Sequence, residues 1–600
     1  MQLFLATTCL EETWRPKDKT LFLGNWCLNP SRRKYWENLN YEVAPYHWDD
    51  MGRLKADEAY LEGIYERVLD DLVVILNEYH GLNWDRRAWT IMVGEWLRRY
   101  ITILYDRYSQ VHTTLQNHNI SAVYCGTVEY CQLTPLNRNM FYDSYKNDTW
   151  NYYLFSRIIK DTTSLSVINK EIEPQNVEKM QDRTVKSFKK GAKQLFRSLI
   201  ASRPVRQLNA FLSRNNLFYV YLPYLPRRID EIRLNLAIGN FPFYFNPESP
   251  ELNHMVDKEA RKGIHLPEAS GDRFENYLRE LLPEFLPVVY WEKLVEIFAL
   301  EEASPFPKKI RCIFTTIGIY TNDVFKVWVV KQIMKGSTLL IGQHGGEYAN
   351  LDIKGEALPL ELAASDCYFS WGWTMPGERI KPVPAFISVN QRVSPNPNRE
   401  YFTVITRPLY KYCCMLSSGS LPGRKNVSYL ELVLALTGKL ADSHSNALLI
   451  KLHPSENNEA EQAIPLGPQL LEKYPFVQLS SSSESLLDVF SLSKLNIFTY
   501  DGTSFLQGMA LDVPCILISG PETDPFSELS DPFYRVLEDA GIYHATVNSA
   551  YDHILSISDD INRWWASNTV REARQSYCEM FTRVSRTPLA DIANALKDFC

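Results

Sequence analysis

Three short stretches place side chains capable of chemistry just beyond an apolar run. "LLIGQHGGEYAN" (Leu339–Asn350) ends in Gln343-His344-Gly345-Gly346, with Glu347 close behind. "LLIKLHPSE" carries His453 and Pro454, and "NIFTYDGTSFLQGMAL" carries Asp501, Gly502, Thr503 and Ser504. An apolar run followed by a glycine pair reads as a strand whose chain then bends close to something. A histidine there can take up a proton near neutral pH or donate a hydrogen bond to a phosphate oxygen. Hydroxyls opening a helix, together with its free amides, suit an anionic group. Each stretch also has a purely local reading. The glycines can make a plain tight turn, Pro454 can start a loop, and Thr and Ser are favoured helix caps.

Further polar residues follow other apolar runs. Arg407 and Lys411 come after "FTVIT", with Tyr410 and Tyr412 beside them, and Lys451 ends "LLIK". An arginine fork suits a diphosphate or a carboxylate, though a solvated loop accounts for it equally. Carboxylates able to deprotonate a hydroxyl or act as nucleophile stand after other runs. These are Glu11 and Glu12 after "LATT", Asp323 after "IRCIFTT", and Glu347. Asp323 opens a helix, where a carboxylate also has a capping role.

The elements that must position these groups alternate. "IRCIFTT", "STLLIG" and "DCYFSWG" read as strands, with "NDVFKVWVVKQIMKG" a helix stopped by Gly336. Arg379 to Glu400, rich in proline and polar residues, reads as an interdomain linker. The pattern then restarts with the strands "YFTVIT", "ALLIKLHP", "LNIFTYDG" and "VPCILIS". A helix "SYLELVLALTGKL" is opened by a Ser428–Glu431 capping box. Alternation of this kind predicts parallel sheets wrapped by helices, with ligands at the carboxyl ends of the strands. The fold class expected is α/β: two Rossmann-like domains facing across a cleft, with C-terminal helices. The boundaries are 1–390 for an N-terminal domain with helical insertions, 400–550 for a second domain, and 551–600 for helices packing back.

The histidine-proline pair and the hydroxyl pair opening a helix resemble the donor half of GT-B glycosyltransferases. The glutamine-histidine-glycine turn is similar to one in capsule Kdo transferases and teichoic-acid glycerophosphotransferases. Across nearly its full length the chain resembles a family of transferases of about 600 residues from O-antigen and surface-polysaccharide clusters. The stretches "LATTCLEETW", "YHWDD", "WTIMVGEWL", "IGQHGGEY", "TYDGTSFLQGMALDVP" and "REARQSYCEMF" carry that resemblance. It implies the GT-B fold type, with 1–390 as acceptor and catalytic domain and 400–550 as nucleotide-donor domain, and a metal-independent glycosyltransferase with no cofactor, whose substrate is a nucleotide-activated sugar. His453, Thr503, Ser504, Arg407 and Lys451 would hold the donor. Gln507 stands where many GT-B enzymes have a ribose-binding glutamate. Asp323, His344 and Glu11 would form the catalytic set. The donor implied is a CMP-activated acidic keto sugar, Kdo or a nonulosonic acid, whose carboxylate could pair with Arg407, Lys326 or Lys451. A CDP-glycerol or nucleotide-diphosphate hexose donor, a nucleotide-sugar epimerase, and a non-catalytic assembly scaffold are the alternatives.

Composition sets the outer limits. At 600 residues several domains are expected, and 45% hydrophobic with 22% charged residues describes an ordinary globular chain. A net charge of −7 argues against nucleic-acid binding. The 11 cysteines match no zinc-ligand spacing. No secretory leader and no bilayer-spanning run is expected, which places the protein in the cytoplasm. Arg183 to Arg206 combines Lys and Arg with apolar residues at helical spacing. That stripe suits either packing on the core or peripheral contact with the inner face of an anionic membrane, where lipid-linked glycan acceptors are found.

Overall fold

A computed structural model describes residues 3–173, 215–242, 252–394, 396, 399–417, 421–454, 463–481, 484–520 and 525–599. The basic stripe at 183–206 lies outside the described residues.

Three parallel sheets organise the chain. The first contains β1 (Leu3–Ala6), β2 (Thr20–Phe22), β3 (Tyr41–Val43), β4 (Ile120–Cys125) and β5 (Val167–Asn169), in the order β3-β2-β1-β4-β5. The second runs sequentially from β6 (Phe218–Tyr221) through β7 (Cys312–Thr315), β8 (Thr338–Gly342) and β9 (Cys367–Ser370) to β10 (Ile380–Pro382). The third takes β11 (Tyr401–Ile405), β13 (Leu448–Lys451), β15 (Gln478–Leu479), β16 (Ser493–Phe498), β17 (Cys515–Ile518) and β18 (Tyr543–His544). Short β12 (Leu409–Tyr410) and β14 (Ala463–Ile464) pair separately. The third sheet has the order β15-β13-β11-β16-β17-β18, the doubly wound pattern whose winding reverses between β11 and β16. The second and third sheets belong to two parallel α/β units that meet where Gly346, after β8, donates to Thr503, after β16, and helices from Val547 to Lys597 follow the third.

Residues 1–390 thus carry two sheets, where the sequence reading expects one domain with helical insertions. In the first sheet the reversal lies between β1 and β4. Its crevice is filled by the chain itself. The Trp26 and Trp14 indoles donate to the carbonyls of Thr7 and Thr8, both at 2.9 Å. Asp148 accepts from Lys411 Nζ (2.6 Å) and from the Tyr412 hydroxyl (2.7 Å), which reach in from the loop after β12.

Two long helices follow β3. Met51–His80 is capped by Asp50 and stopped by Gly81 at φ 63°, and Arg86–Asn117 is capped by Asp85. The second packs on the helices Asp148–Thr162, Asp323–Ile333 and Ala357–Ala364, so it spans the first two sheets.

Two local expectations change. Arg379–Glu400 is only partly a linker, because Ile380–Pro382 pairs with β9 as an edge strand and Phe386 and Ile387 are buried. An edge position tolerates Pro382, since proline leaves no inward ladder donor unmet. The helix expected to open at Ser428 begins at Arg424, whose backbone N–H is satisfied by Asp49 Oδ1 at 2.8 Å from a distant element.

Candidate functional site

The glutamine-histidine-glycine turn follows β8 directly, and each of its residues has a visible task. Gln343 is buried. Its amide donates to the Gly345 carbonyl (2.8 Å), and its oxygen accepts from the Trp371 backbone and the Trp373 indole, both at 2.9 Å. Gly346 donates its N–H to Thr503 Oγ1 at 2.8 Å. A Cβ on Gly346 would stand 2.7 Å from the Thr503 nitrogen and 2.8 Å from the Gly502 carbonyl carbon. The glycine pair therefore lets two backbones from different sheets touch. The next residues are stitched to the third sheet's unit: Asn350 donates to Asp501 at 2.5 Å, and Ser527 and Ser530 donate to the carbonyls of Ala349 and Asn350, both at 2.6 Å. Gly346→Ala is expected to wedge this seam, costing about 1–3 kcal/mol and depressing any activity of the cavity; thermal unfolding and assay of the same sample check it.

His344 projects into a cavity of about 490 Å³. The strand ends meet there: Ile317, Tyr320 and Thr321 follow β7, His344 to Tyr348 follow β8, and Thr503 starts the helix after β16. Helix Arg86–Asn117 adds Glu95, Arg98 and Arg99, and Arg138, Lys354, Glu347 and Glu356 complete a wall of mixed charge in which Arg98 is paired with Glu62 (2.8 Å). Burial alone would raise the Glu95 carboxyl. Arg138 and Arg99, hydrogen-bonded to it at 3.2 and 2.6 Å, hold it down at about 2.

Behind His344 lies Glu361, fully buried on the helix Ala357–Ala364. Its Oε1 is 3.4 Å from His344 Nδ1 and accepts from Tyr320 (2.6 Å) and Tyr348 (3.2 Å). Its Oε2 is buried without a hydrogen-bond partner. Burial therefore outweighs the tyrosine donors and pushes the Glu361 carboxyl up to about 8. Burial likewise pushes His344 down to about 4. The Tyr348 hydroxyl faces both ring nitrogens of His344, 3.0 Å from Nδ1 and 3.2 Å from Nε2. At neutral pH the His344 imidazole on the cavity wall is uncharged, so one of its nitrogens carries a lone pair able to accept a proton.

The remaining sequence candidates are dispersed. Glu347 (φ 68°) and Thr503 line the same cavity. Ser504 Oγ shares a hydrogen bond with the Tyr500 hydroxyl at 3.0 Å. Asp323 lies outside this cavity, accepting from Tyr290 (3.1 Å) beside the Lys326 ammonium (3.3 Å). Lys326 is itself buried, with Met92 O and Tyr290 as partners. Glu11 pairs with Arg32 at the plugged first sheet. Arg407 is buried with its guanidinium 4.2 Å from the Tyr429 ring, and Lys451 donates to the carbonyls of Ser481 (3.3 Å) and Glu484 (2.9 Å). His453 follows β13, where burial and then Lys451 lower its pKa, and Gln507 is half-buried on the helix after β16. His453, Arg407, Lys451, Ser504 and Gln507 sit on the third unit and do not line the His344 cavity. Glu361, Tyr348, Arg99 and Arg138 are absent from the sequence reading; the one available signal is a lone acid, Glu361, inside the apolar run "ALPLELAA".

A family model described as "LIC12162 family transferase" matches residues 3–596. The chain belongs to that family. It is a transferase, and the model spans all three sheets. No curated protein matches it significantly. Among solved structures it is similar to a Thermobaculum terrenum O-GlcNAc transferase mutant (11% identity, 90% of this chain and 98% of that one, TM-score 0.35). It is also similar to the wall teichoic acid polymerase TagF (9%, 71% and 98%, 0.31) and to Acinetobacter baumannii MurG (10%, 52% and 79%, 0.27). Likenesses this distant transfer no residue role and no substrate. Among the described residues no group of His, Cys, Asp and Glu is placed to hold a metal ion, and no helix is long and apolar enough to cross a membrane.

Proposed function

We propose that this transferase moves a sugar from a nucleotide-activated donor to a glycan hydroxyl in the His344 cavity. The observation that supports this most is the uncharged His344, backed by Glu361 and Tyr348, facing the start of the helix that follows the third sheet's winding reversal. In the proposed step the imidazole nitrogen that carries the lone pair takes the acceptor hydroxyl proton while that oxygen bonds to the anomeric carbon. The bond from the anomeric carbon to the donor phosphate oxygen breaks, and its electron pair leaves with the nucleotide. The amides and hydroxyls of Thr503 and Ser504 would stabilise the phosphate's developing charge. Arg407, Lys451, His453 and Gln507, on neighbouring strand ends of the third unit, would bind the rest of the nucleotide. A single base acting in one displacement predicts inversion at the anomeric carbon. Asp323 and Glu11 are given no part in this step, because neither lines the His344 cavity.

For the donor we favour a CMP-activated acidic keto sugar used in surface-polysaccharide synthesis. Lys354 on the cavity wall supports this as a cation able to meet a sugar carboxylate, whereas Arg98 is paired with Glu62, and Arg99 and Arg138 with Glu95. That moves the pairing role from Arg407, Lys326 and Lys451 to a residue on another element. Incubation with CMP-, CDP- and UDP-activated donors, followed by nucleotide release, tests the reading. Release from a CMP-linked acidic sugar, dependent on acceptor, is expected. Release only from CDP-glycerol or a hexose donor would redirect the donor assignment. Absence of any nucleotide binding would sink the enzyme reading altogether.

A further inference from the structure

The edge of the second sheet carries an apolar surface away from the cavity. Nineteen large hydrophobic side chains are exposed among the described residues, and six fall between 217 and 241: Leu217, Tyr224, Ile229, Ile232, Leu236 and Phe241. That density separates this segment from the scattered exposed apolar residues any surface shows. On helix Arg228–Ala237, Asp230 and Leu234 are buried, and the helix packs on the helix Pro588–Lys597. Ile229, Ile232 and Leu236, at helical spacing, point outward as a stripe. At the far end the Asn216 side chain brackets Phe241, donating to its carbonyl (2.8 Å) and accepting from its N–H (2.9 Å). Phe241 is thereby held next to Leu217. At the near end Tyr224 turns its ring edge-on to His344, with centroids 6.3 Å apart. The stripe therefore starts at the proposed base and runs along a helix of about 15 Å. Arg227, Arg228 and Arg233 flank it. Arg227 and Arg233 reach back to buried Asp230 (2.7 and 3.6 Å) with side chains 45% and 57% exposed.

We propose that this surface docks the protein on an anionic lipid bilayer. Ile229, Ile232, Leu236 and Phe241 enter the acyl boundary, and the arginines sit among the headgroups. Tyr224 then lies at the interface, and a lipid-linked glycan acceptor presents its hydroxyl to His344 without leaving the membrane. The acceptor part rests on the proposed function; the docking does not. Arg227, Arg228 and Arg233 outnumber Asp230 and Glu231 on this segment, so the rim of the stripe carries net positive charge, the complement of an anionic headgroup layer.

The full chain is sedimented with vesicles of phosphatidylcholine alone and of phosphatidylcholine with phosphatidylglycerol. Binding to the anionic vesicles is expected, and Ile232→Glu/Leu236→Glu should lower it about tenfold or more without changing thermal unfolding or nucleotide binding. Arg228→Gln/Arg233→Gln should weaken binding most at low salt. Binding of the glutamate variant at the level of the unmodified chain, or no binding by the unmodified chain, overturns the proposal. So does light scattering that shows the unmodified chain as a dimer the variant dissolves, which would make the stripe a contact between copies. Failure of the glycosyl-transfer reading appears instead as absent nucleotide binding and leaves the vesicle result standing.

Discussion

His344→Ala is expected to lower sugar transfer by about a hundred- to ten-thousandfold while leaving nucleotide affinity intact. The imidazole meets the acceptor side of the cavity, and the phosphate site proposed around Thr503 and Ser504 belongs to a different sheet. Loss of the base should therefore appear in kcat rather than in donor binding. The pH profile supplies a readout that a merely structural histidine would not move. Burial holds His344 at about 4, so it stays neutral through the ordinary histidine range. Activity should fall only as the pH drops toward about 4, where protonation removes the lone pair. An acid limb of kcat/KM between pH 6 and 7, the range of an ordinary imidazole, would place the base elsewhere. Full turnover by His344→Ala would do the same.

Glu361→Gln carries the second large effect, on stability. The native carboxyl titrates at about 8, against 4.5 for an ordinary glutamate. Between those values the native state keeps a proton that the unfolded chain has released. Stability is therefore fully present below about 4.5 and falls by about 1.4 kcal/mol per pH unit as the pH rises through about 8. Glutamine keeps an oxygen to accept from Tyr320 and Tyr348 and has no proton to lose. The unmodified protein should lose melting temperature from pH 5 to pH 9, and Glu361→Gln should flatten that slope and be the more stable protein at pH 8. The same variant should retain part of its activity, because Tyr348 still orients His344, whereas Glu361→Leu removes the acceptor of both hydroxyls and should lose more of it. Equal slopes for Glu361→Gln and the unmodified chain would mean that Glu361 is ionised in the fold.

The sequence by itself determined which residues stand at strand ends. An apolar β run that stops at a glycine pair, or at a Gly-Thr-Ser helix opening, is a local signal, and it places His344 and Thr503 correctly on facing sheets. It also determined parallel α/β alternation, because period and punctuation are written into each segment. Only the tertiary structure decided which of those residues share a cavity. Gly346 reads as a turn glycine, yet its reason is a backbone more than 150 positions away, so close that a Cβ here would stand 2.7 Å from the Thr503 nitrogen. Glu361 reads as one acid in an apolar helix. It matters because three tyrosines and His344, brought together from separate elements, surround it with little solvent. Glu11 and Asp323 read as candidate bases for the same local reason as His344. Arg32, Tyr290 and Lys326 occupy them, and such pairing depends on distances in space that spacing along the chain does not encode.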